Sequence, residues 1–315
     1  MDVLVAGASG ALGQPLLRQL VARGHTVYGL TRTPANVESI TGLGARPVVA
    51  DAMDREALLA ATRDLRLDAV VHALTALKKL PARYRDMAQT NALRTEGMAN
   101  LLAVARATGA RRVVAESMHV GYGLGDWGSQ VITEETPFAP PGRTPGLEQV
   151  NAAFRALESQ LRDAAGITGV AMRYGAFYGP GATESTVAMM RRRMVPLVGD
   201  GDGVMHWIHM EDAASATVAA LEHASPSPAY NVVDDEPVSW RDFVGRLAEA
   251  CGTPKPMRLP RAVVTVAAPY AVLFMTTRLR VSNARAKSEL GWAPAYPTYR
   301  EGLAQFGRAA GFATV

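Results

Sequence analysis

Short apolar runs rich in valine alternate with longer segments of helical periodicity along the first 175 residues. The helical segments cover residues 12–23, 55–63 and 91–108, and glycines follow the first and the third of them. Strands alternating with helices in this way predict βαβ units that form a parallel sheet. The predicted strands are DVLVA (2–6), TVYGL (26–30), RPVVA (46–50), DAVVHA (68–73), RRVVAE (111–116) and TGVAMR (168–173).

The pattern changes after Arg173. A loop rich in glycine and proline, YGAFYGPGATES, precedes a predicted helix through Arg193, while AYNVVDD (229–235) has the pattern of one more strand of the main sheet. We therefore predict an α/β fold, a Rossmann-type doubly wound parallel sheet with a smaller, interleaved C-terminal substrate domain. The dinucleotide-binding domain would comprise residues 1–175 with a returning segment at about 207–233, and the substrate-binding domain residues 176–206 and 234–315.

Composition excludes several classes of protein. Apolar residues make up 48% and charged residues 20% of the 315 residues, which is typical of a folded globular protein. The net charge of +4 comes from scattered arginines without interleaved aromatic residues, so we expect no nucleic-acid partner. The single cysteine, Cys251, and the lack of a signal-peptide pattern before the first strand predict a cytoplasmic protein.

One apolar stretch, residues 262–275, needs a separate interpretation. It is too short to span a bilayer and contains Pro269. We interpret it as a pocket-lining or core helix and expect no membrane partner, with contact to a membrane as the alternative.

A glycine-rich loop follows the first predicted strand directly. Its glycines permit a tight turn and a close approach of the backbone, and the next residues begin a helix. The free N–H groups of such a helix N-terminus bind a pyrophosphate. We therefore predict a dinucleotide site at this loop, formed by Gly7, Ser9, Gly10, Ala11, Leu12 and Gly13.

The glycine spacing G-x-x-G-x-x-G resembles that of the short-chain dehydrogenase/reductase superfamily, and the chain length resembles its extended branch of epimerases and dehydratases. The resemblance implies an NAD(P) cofactor, a small-molecule substrate and a homodimer. Further segments resemble the same branch in order along the chain: NALRTEGMANLLAVARATGARRVV (91–114), RYGAFYGPG (173–181), HWIHMEDAA (206–214), AYNVVDDEPVSW (229–240) and SNARAKSELGW (282–292).

The end of the second predicted strand indicates which dinucleotide binds. An acidic residue there would hold the ribose hydroxyls of NAD, whereas the guanidinium of Arg32 can pair with the 2′-phosphate of NADP. We expect NADP, with NAD as the alternative if Arg32 is only a solvated loop residue. The resemblance places Asp51 near the adenine amino group, although capping the next helix is an alternative role. It implies further cofactor contacts by Ala52, Ala73, Leu74, Tyr174, Gly175 and Ala176.

The resemblance fails at the catalytic pair. In the family a tyrosine hydroxyl exchanges the proton, and a lysine four residues later lowers its pKa. Anchoring on Glu158 and Arg173 puts Val150 and Phe154 at these two positions, and no tyrosine of the chain is followed four residues later by a lysine.

Other polar side chains remain as catalytic candidates. The family's serine or threonine at the end of the fifth strand corresponds to Ser117, or to Met118 if the chain is aligned on Tyr122. His206 and His209 would point to opposite faces of a strand, so no metal site is predicted. The candidates for catalysis are Ser117, His119, Tyr122 and Tyr178.

Fewer residues of the sequence bear on the substrate and on the type of reaction. Met205 stands where nucleotide-sugar members of the family carry an arginine, which argues against a nucleotide sugar. The stretch 262–275 and the aromatic residues Phe177, Tyr178 and Trp207 favour a hydrophobic or cyclic small molecule, unless they only pack the two domains together. The leading hypothesis is an NADP(H)-dependent oxidoreductase with a non-standard proton donor. The alternatives are a redox-neutral lyase, cyclase or isomerase with a retained or vestigial cofactor, and a non-catalytic dinucleotide-binding redox sensor.

Overall fold

The computed structural model describes residues 1–142 and 144–309. Its strands are, in chain order, β1 Asp2–Ala6, β2 Thr26–Thr31, β3 Arg46–Val49, β4 Ala69–His72, β5 Arg112–Met118, β6 Asp126–Ile132, β7 Thr168–Tyr174, β8 Ala176–Tyr178, β9 Leu197–Val198, β10 Val204–Met205, β11 Trp207–His209, β12 Ala229–Val232, β13 Val238–Ser239, β14 Arg258–Leu259 and β15 Arg278–Val281. Its helices are α1 Gly13–Ala22, α2 Val37–Gly42, α3 Arg55–Thr62, α4 Ala88–Ala92, α5 Met98–Thr108, α6 Pro145–Arg162, α7 Glu184–Arg191, α8 Met210–Glu222, α9 Trp240–Cys251, α10 Arg261–Ala267, α11 Pro269–Thr276, α12 Ala284–Leu290 and α13 Tyr299–Ala309.

Seven of the strands form a parallel sheet in the order β12-β7-β5-β4-β1-β2-β3. Strand β1 pairs with β2 on one side and with β4 on the other, so the chain reverses its direction of travel across the sheet between β3 and β4. In such doubly wound sheets a ligand binds in the crevice at the carboxyl ends of the strands, at this point of reversal. The predicted α/β Rossmann-type fold is confirmed.

Helices cover both faces of the sheet because their apolar residues recur at helical spacing. In α1, for example, Leu16, Leu17 and Leu20 are buried. The helices α1 and α8 pack on the face formed by the side chains of Val3, Val5 and their neighbours. On the opposite face α3, α5 and α6 pack against Leu4 and the other side chains that alternate with these.

A second layer of structure follows the main sheet. It contains the four-stranded sheet β13-β10-β15-β6 and the two-stranded sheets β11-β8 and β14-β9. Its apolar cluster includes Phe243 of α9 and Phe306 of α13, and it extends to Val150 and Phe154 of α6, with Met118 of β5 packed against it. The second layer therefore begins where β5 ends, next to the crevice.

Two predicted helices differ in detail from the structure. The helix expected at residues 91–108 begins at Ala88 and contains a π-helical segment, Leu93–Gly97, between α4 and α5. The apolar stretch 262–275 is two helices that meet at Pro269: α11 is mostly buried, whereas α10 buries none of its residues. The core alternative is therefore wrong for α10. None of the described helices combines the length and the apolar character that crossing a membrane requires.

Candidate active site

The glycine-rich loop forms a tight cradle between β1 and α1. Gly7 has a φ of +93°, and a Cβ on it would lie 2.2 Å from the carbonyl oxygen of Ala73. A Cβ on Gly13 would lie 2.1 Å from the carbonyl oxygen of Gly7. Helix α1 has no side-chain cap and no acidic residue in its first turn. Its N-terminus therefore fits an anion such as a pyrophosphate.

The turn after β2 presents a cation beside this loop. Arg32 is exposed and has no hydrogen bond or ion pair with any described residue. Asn36 Nδ2 donates to Ser9 Oγ at 3.0 Å and to Thr31 Oγ1 at 3.1 Å, which ties the turn to the glycine loop. These two bonds connect the turn that carries Arg32 to the loop that carries Ser9.

Asp51 holds the turn between β3 and α3. Its Oδ1 accepts the N–H of Met53 at 2.9 Å, whereas the side chain that caps α3 is that of Asp54. The other carboxylate oxygen of Asp51 receives no hydrogen bond from the described residues, so it is free for an adenine amino group. Ala52 is buried, and its carbonyl accepts the Asn100 amide at 2.9 Å.

Ala73 and Leu74 follow β4 at the same edge of the sheet as Gly7. The Ala73 N–H donates to Ala6 O at 2.9 Å, which leaves the Ala73 carbonyl facing the glycine loop. Leu74 is half-buried against the α5 side of the sheet. Both residues thus border the crevice where a ribose would lie.

The backbone N–H groups just after β7 donate hydrogen bonds to neighbouring segments. The N–H of Gly175 donates to Val232 O at 2.9 Å, and that of Ala176 donates to His206 O at 3.1 Å. Tyr174 is buried, with its hydroxyl 2.5 Å from Thr217 Oγ1, and burial raises its pKa. The N–H groups of Gly175 and Ala176 are therefore already used within the protein.

Helix α6 carries Val150 and Phe154, the two residues that the sequence interpretation assigns to the positions of the family's catalytic pair. Val150 is 2% and Phe154 1% exposed. One turn further, Glu158 forms a buried ion pair with Arg173 of β7, with a distance of 2.6 Å between Arg173 Nη2 and Glu158 Oε2. Ser117 Oγ donates to Glu158 Oε1 at 2.9 Å. The Ser117 hydroxyl is therefore engaged by the sheet-facing side of α6.

Three further catalytic candidates also lie in buried surroundings. Tyr122 donates to Asn231 Oδ1 at 2.8 Å and accepts from Arg173 Nη1 at 2.7 Å, and burial raises its pKa to about 12. His119 Nδ1 donates to Tyr174 O at 2.9 Å, while its Nε2 has no partner among the described residues. Burial and the neighbouring His206 lower the pKa of His119 to about 3, so its ring is neutral.

Tyr178 belongs to the apolar cluster of the second layer. Its ring stands edge-on to Phe243 and His209, and its hydroxyl lies 3.4 Å from Thr298 O. A Cβ on Gly302 of α13 would lie 2.4 Å from the same hydroxyl. Tyr178 therefore joins β8 to α13.

The structure adds two charged residues that the sequence interpretation missed. Glu116 of β5 and Arg94 of the π-helical segment are 8% and 4% exposed, and neither has a hydrogen bond or ion pair with a described residue. A charged residue inside an otherwise apolar strand is a signal that could have identified Glu116. Arg94 had no comparable signal, because an arginine within a helical pattern normally faces water.

His206 and His209 have structural partners. His206 Nδ1 donates to Asp234 O at 3.1 Å, and His209 caps α8 by accepting the Glu211 N–H at 3.2 Å. Within residues 1–142 and 144–309, no three histidine, cysteine or acidic side chains are grouped so that they could hold a metal ion.

Comparison with known proteins identifies the family. The model of the NAD dependent epimerase/dehydratase family matches residues 3–233. The chain belongs to this family. Family membership confirms the predicted resemblance to the extended short-chain dehydrogenases/reductases.

Two known proteins are similar in sequence to this chain over most of its length. A 3-diazoavenalumate denitrifying reductase from a Streptomyces species is 38% identical over 313 residues, which cover 96% of this chain and 99% of that protein. A 2-alkyl-3-oxoalkanoate reductase from Stenotrophomonas maltophilia is 30% identical over 274 residues, which cover 81% and 77%. The chain is an enzyme of the NAD(P)-dependent oxidoreductase or epimerase/dehydratase type.

A solved structure shows the same fold. The UDP-glucose 4-epimerase of Thermotoga maritima, determined with UDP-glucose, has a TM-score of 0.80 and 21% identity, with 98% of each chain covered. At this identity the similarity concerns the fold and not the substrate.

Proposed function

We propose that this enzyme is an NADP(H)-dependent reductase of a hydrophobic or cyclic small molecule, with a proton donor other than the family's tyrosine. The observation that carries the proposal is the free guanidinium of Arg32 beside Ser9 and the glycine loop. If this guanidinium were buried or paired with a carboxylate, its N–H groups would not be available to a 2′-phosphate. An acidic residue at the same position would repel the phosphate.

The cofactor would lie along the carboxyl edge of the main sheet. The pyrophosphate would rest on the residues from Gly7 to Gly13, with the 2′-phosphate at Arg32 and the adenine near Asp51 and Ala52. The ribose on the nicotinamide side would lie beside Ala73 and Leu74, and the ring above the segment from Tyr174 to Ala176. When bound, NADPH supplies the hydride for reduction. The chain supplies orientation, exclusion of water and the proton.

The substrate side is apolar. Met205, at the position of the arginine in nucleotide-sugar enzymes, is 4% exposed within the second layer. Partly buried apolar side chains border the same cluster next to the end of β5, among them Leu77, Leu80, Tyr84, Met118 and Phe138. These surfaces suit an aromatic or alicyclic molecule. The two relatives described above are both named reductases, which favours net reduction over a redox-neutral reaction.

We also propose which parts of the chain bind the dinucleotide and which enclose the substrate. Residues 1–175 with about 207–233 would bind the dinucleotide, and residues 176–206 with 234–315 would enclose the substrate. We also propose a homodimer, as the family resemblance implies, and a cytoplasmic location, which the single cysteine favours. Sedimentation equilibrium measures the oligomeric state directly, and a monomer at micromolar concentration would contradict the dimer.

Absorbance at 340 nm tests the reaction. NADPH or NADH is mixed with the enzyme and one of three acceptor classes: 3-oxo acids, cyclic or aromatic ketones, and aromatic diazo acids. We expect oxidation of NADPH that depends on the acceptor and a lower kcat/KM with NADH. Conversion of an acceptor without a change at 340 nm would support the redox-neutral alternative. Binding of NADPH without turnover of any acceptor class would support the redox sensor.

A further inference from the structure

Two buried side chains of opposite charge, those of Arg94 and Glu116, have no hydrogen bond or ion pair with a described residue. We propose that Arg94 and Glu116 replace the missing tyrosine and lysine: the Arg94 guanidinium holds the substrate oxygen that becomes negative on reduction, and the Glu116 carboxyl protonates it. The inference rests on the reduction proposed above, but the site itself can be tested without cofactor or turnover.

Arg94 lies beside the predicted position of the missing lysine, although it comes from another helix. Its Cζ lies 4.0 Å from the centroid of the Phe154 ring, and Phe154 is the residue at the lysine position. Its Nη1 is buried without a hydrogen-bond acceptor among the described residues. The π-helical turn Leu93–Gly97 that carries Arg94 is a feature often found at functional sites. A buried guanidinium without an acceptor is costly unless a ligand supplies one.

Glu116 lies at the carboxyl edge of the sheet, level with the glycine loop. In the sheet register Ala6 of β1 pairs with His72 of β4, and His72 pairs with Ala115, so Glu116 follows at the level of Gly7. Side chains alternate along β5, so Glu116 points to the same face as Met118, and Ser117 points to the opposite face, toward α6. Met118 is the residue that aligns with the family's substrate-binding serine when the chain is aligned on Tyr122.

The surroundings of Glu116 suit a proton donor. Burial raises its pKa from 4.5 to about 7, and the positive charge of Arg94 partly opposes this effect. The other titratable group that senses Glu116 is the Tyr174 hydroxyl of β7, whose pKa Glu116 raises further. A carboxyl with a pKa near the working pH can be protonated before the reaction and can release its proton during it.

The proton step is balanced by the reduction. As the acceptor carbon receives a hydride with its electron pair, which NADPH would supply and thereby become NADP⁺, the π pair of the C=O bond moves to the oxygen, which becomes negative. The bond between that oxygen and the Glu116 proton forms while the O–H bond of Glu116 breaks, which leaves a carboxylate that solvent protonates again. Arg94 stabilises the negative oxygen in a site that excludes water.

Binding of 4-nitrophenol tests the site, because its phenolate mimics the negative oxygen and is coloured. Titrations use the full chain, with and without NADP⁺, and the phenolate affinity is corrected for ionisation of the free phenol. We expect Arg94→Met to weaken phenolate binding about tenfold or more, since a charged hydrogen bond is lost. Arg94→Lys should retain part of the affinity. The matched control is Arg63→Met, at an exposed arginine, and it should bind as the wild type does.

The pH dependence of this binding tests Glu116. In the wild type, phenolate affinity should fall as pH rises through about 7, because ionised Glu116 repels the phenolate. Glu116→Gln should abolish this fall, whereas Glu56→Gln, on the exposed side of α3, should leave it unchanged. Equal binding by Arg94→Met and Arg63→Met, no phenolate binding by the wild type, or the same pH dependence in Glu116→Gln would each overturn the proposal.

Turnover provides a second readout. With an acceptor that the enzyme reduces, Glu116→Gln should lower kcat by roughly a hundredfold with a much smaller change in KM. Tyr270 is the alternative donor, since its buried hydroxyl also lies in the field of Arg94. A loss in Tyr270→Phe as large as that in Glu116→Gln would overturn the assignment of Glu116. If NADPH neither binds nor reacts, the proposed function fails, while the phenolate titrations without NADP⁺ still decide the role of this pair.

Discussion

Gly7 is a residue at which the backbone of the glycine-rich loop tolerates little change. Its positive φ and the 2.2 Å separation between a Cβ and Ala73 O mean that alanine would push β1 and β4 apart. We expect Gly7→Ala to weaken NADPH binding at least tenfold and to lower the melting temperature. The control is Gly42→Ala, where no atom lies within 4 Å of a Cβ. Fluorescence titration and thermal unfolding measure both effects, and equal NADPH affinity in the two variants would contradict the cradle.

Arg32 decides the choice of dinucleotide in this account. Its guanidinium is free, so replacing it removes charge from the 2′-phosphate site without disturbing a protein contact. We expect Arg32→Ala to lower the ratio of NADPH to NADH affinity by roughly tenfold to a hundredfold, with little change in NADH affinity or stability. Isothermal titration calorimetry with both dinucleotides measures the ratio. An unchanged ratio would show that the 2′-phosphate lies elsewhere.

At the scale of elements, the ion pair between Glu158 and Arg173 fastens α6 to β7. Both side chains are nearly buried, and Arg173 also bonds the Tyr122 hydroxyl. Glu158→Gln would leave the guanidinium buried without a counter-charge, so we expect the free energy of unfolding to fall by about 3–5 kcal/mol. Glu249→Gln removes an exposed ion pair and should cost less than about 1 kcal/mol. Urea denaturation compares them, and equal losses would contradict a structural role for Glu158.

The elements themselves were largely predictable because their apolar patterns are local. All six strands predicted in the first half appear in the main sheet, with β12 as the returning strand. The bounds of 91–108 were less predictable, since the π turn at Leu93–Gly97 does not change the spacing of apolar residues much. The exposure of α10 depends on what packs above it, which an apolar sequence alone does not specify.

For the whole molecule, Glu116 makes stability depend on pH. Burial raises its folded pKa from 4.5 to about 7, so its contribution is complete below pH 4.5 and is lost as pH rises through 7. This difference in pKa corresponds to about 3 kcal/mol. We expect the unfolding free energy of the wild type, relative to Glu116→Gln, to fall by about that amount between pH 4.5 and 8. Urea denaturation over this range measures it, and a constant difference would mean that Glu116 is solvated.

Parts of the active site were predictable from the sequence where the indicative residues lie within one short segment. The glycine loop and Arg32 each stand directly after a strand, so their place at the crevice follows from the chain order. The sequence itself contains no tyrosine followed four residues later by a lysine, and the assignment of Val150 and Phe154 to the two catalytic positions stays a prediction. The role of Arg94 with Glu116 was not predictable, since 22 positions separate them and Arg94 belongs to the π-helical segment Leu93–Gly97, whose place beside the sheet results from tertiary packing.

A crystal structure of the enzyme with NADP⁺ tests the central claim most directly. The account predicts that the 2′-phosphate lies within hydrogen-bond distance of Arg32 and Ser9, with the pyrophosphate on the glycine loop. It also predicts that nicotinamide C4 faces a space bordered by Arg94, Glu116 and Met118. A crevice that stays empty at saturating NADP⁺, or a nicotinamide ring whose C4 is closed off from both charged residues, would contradict it.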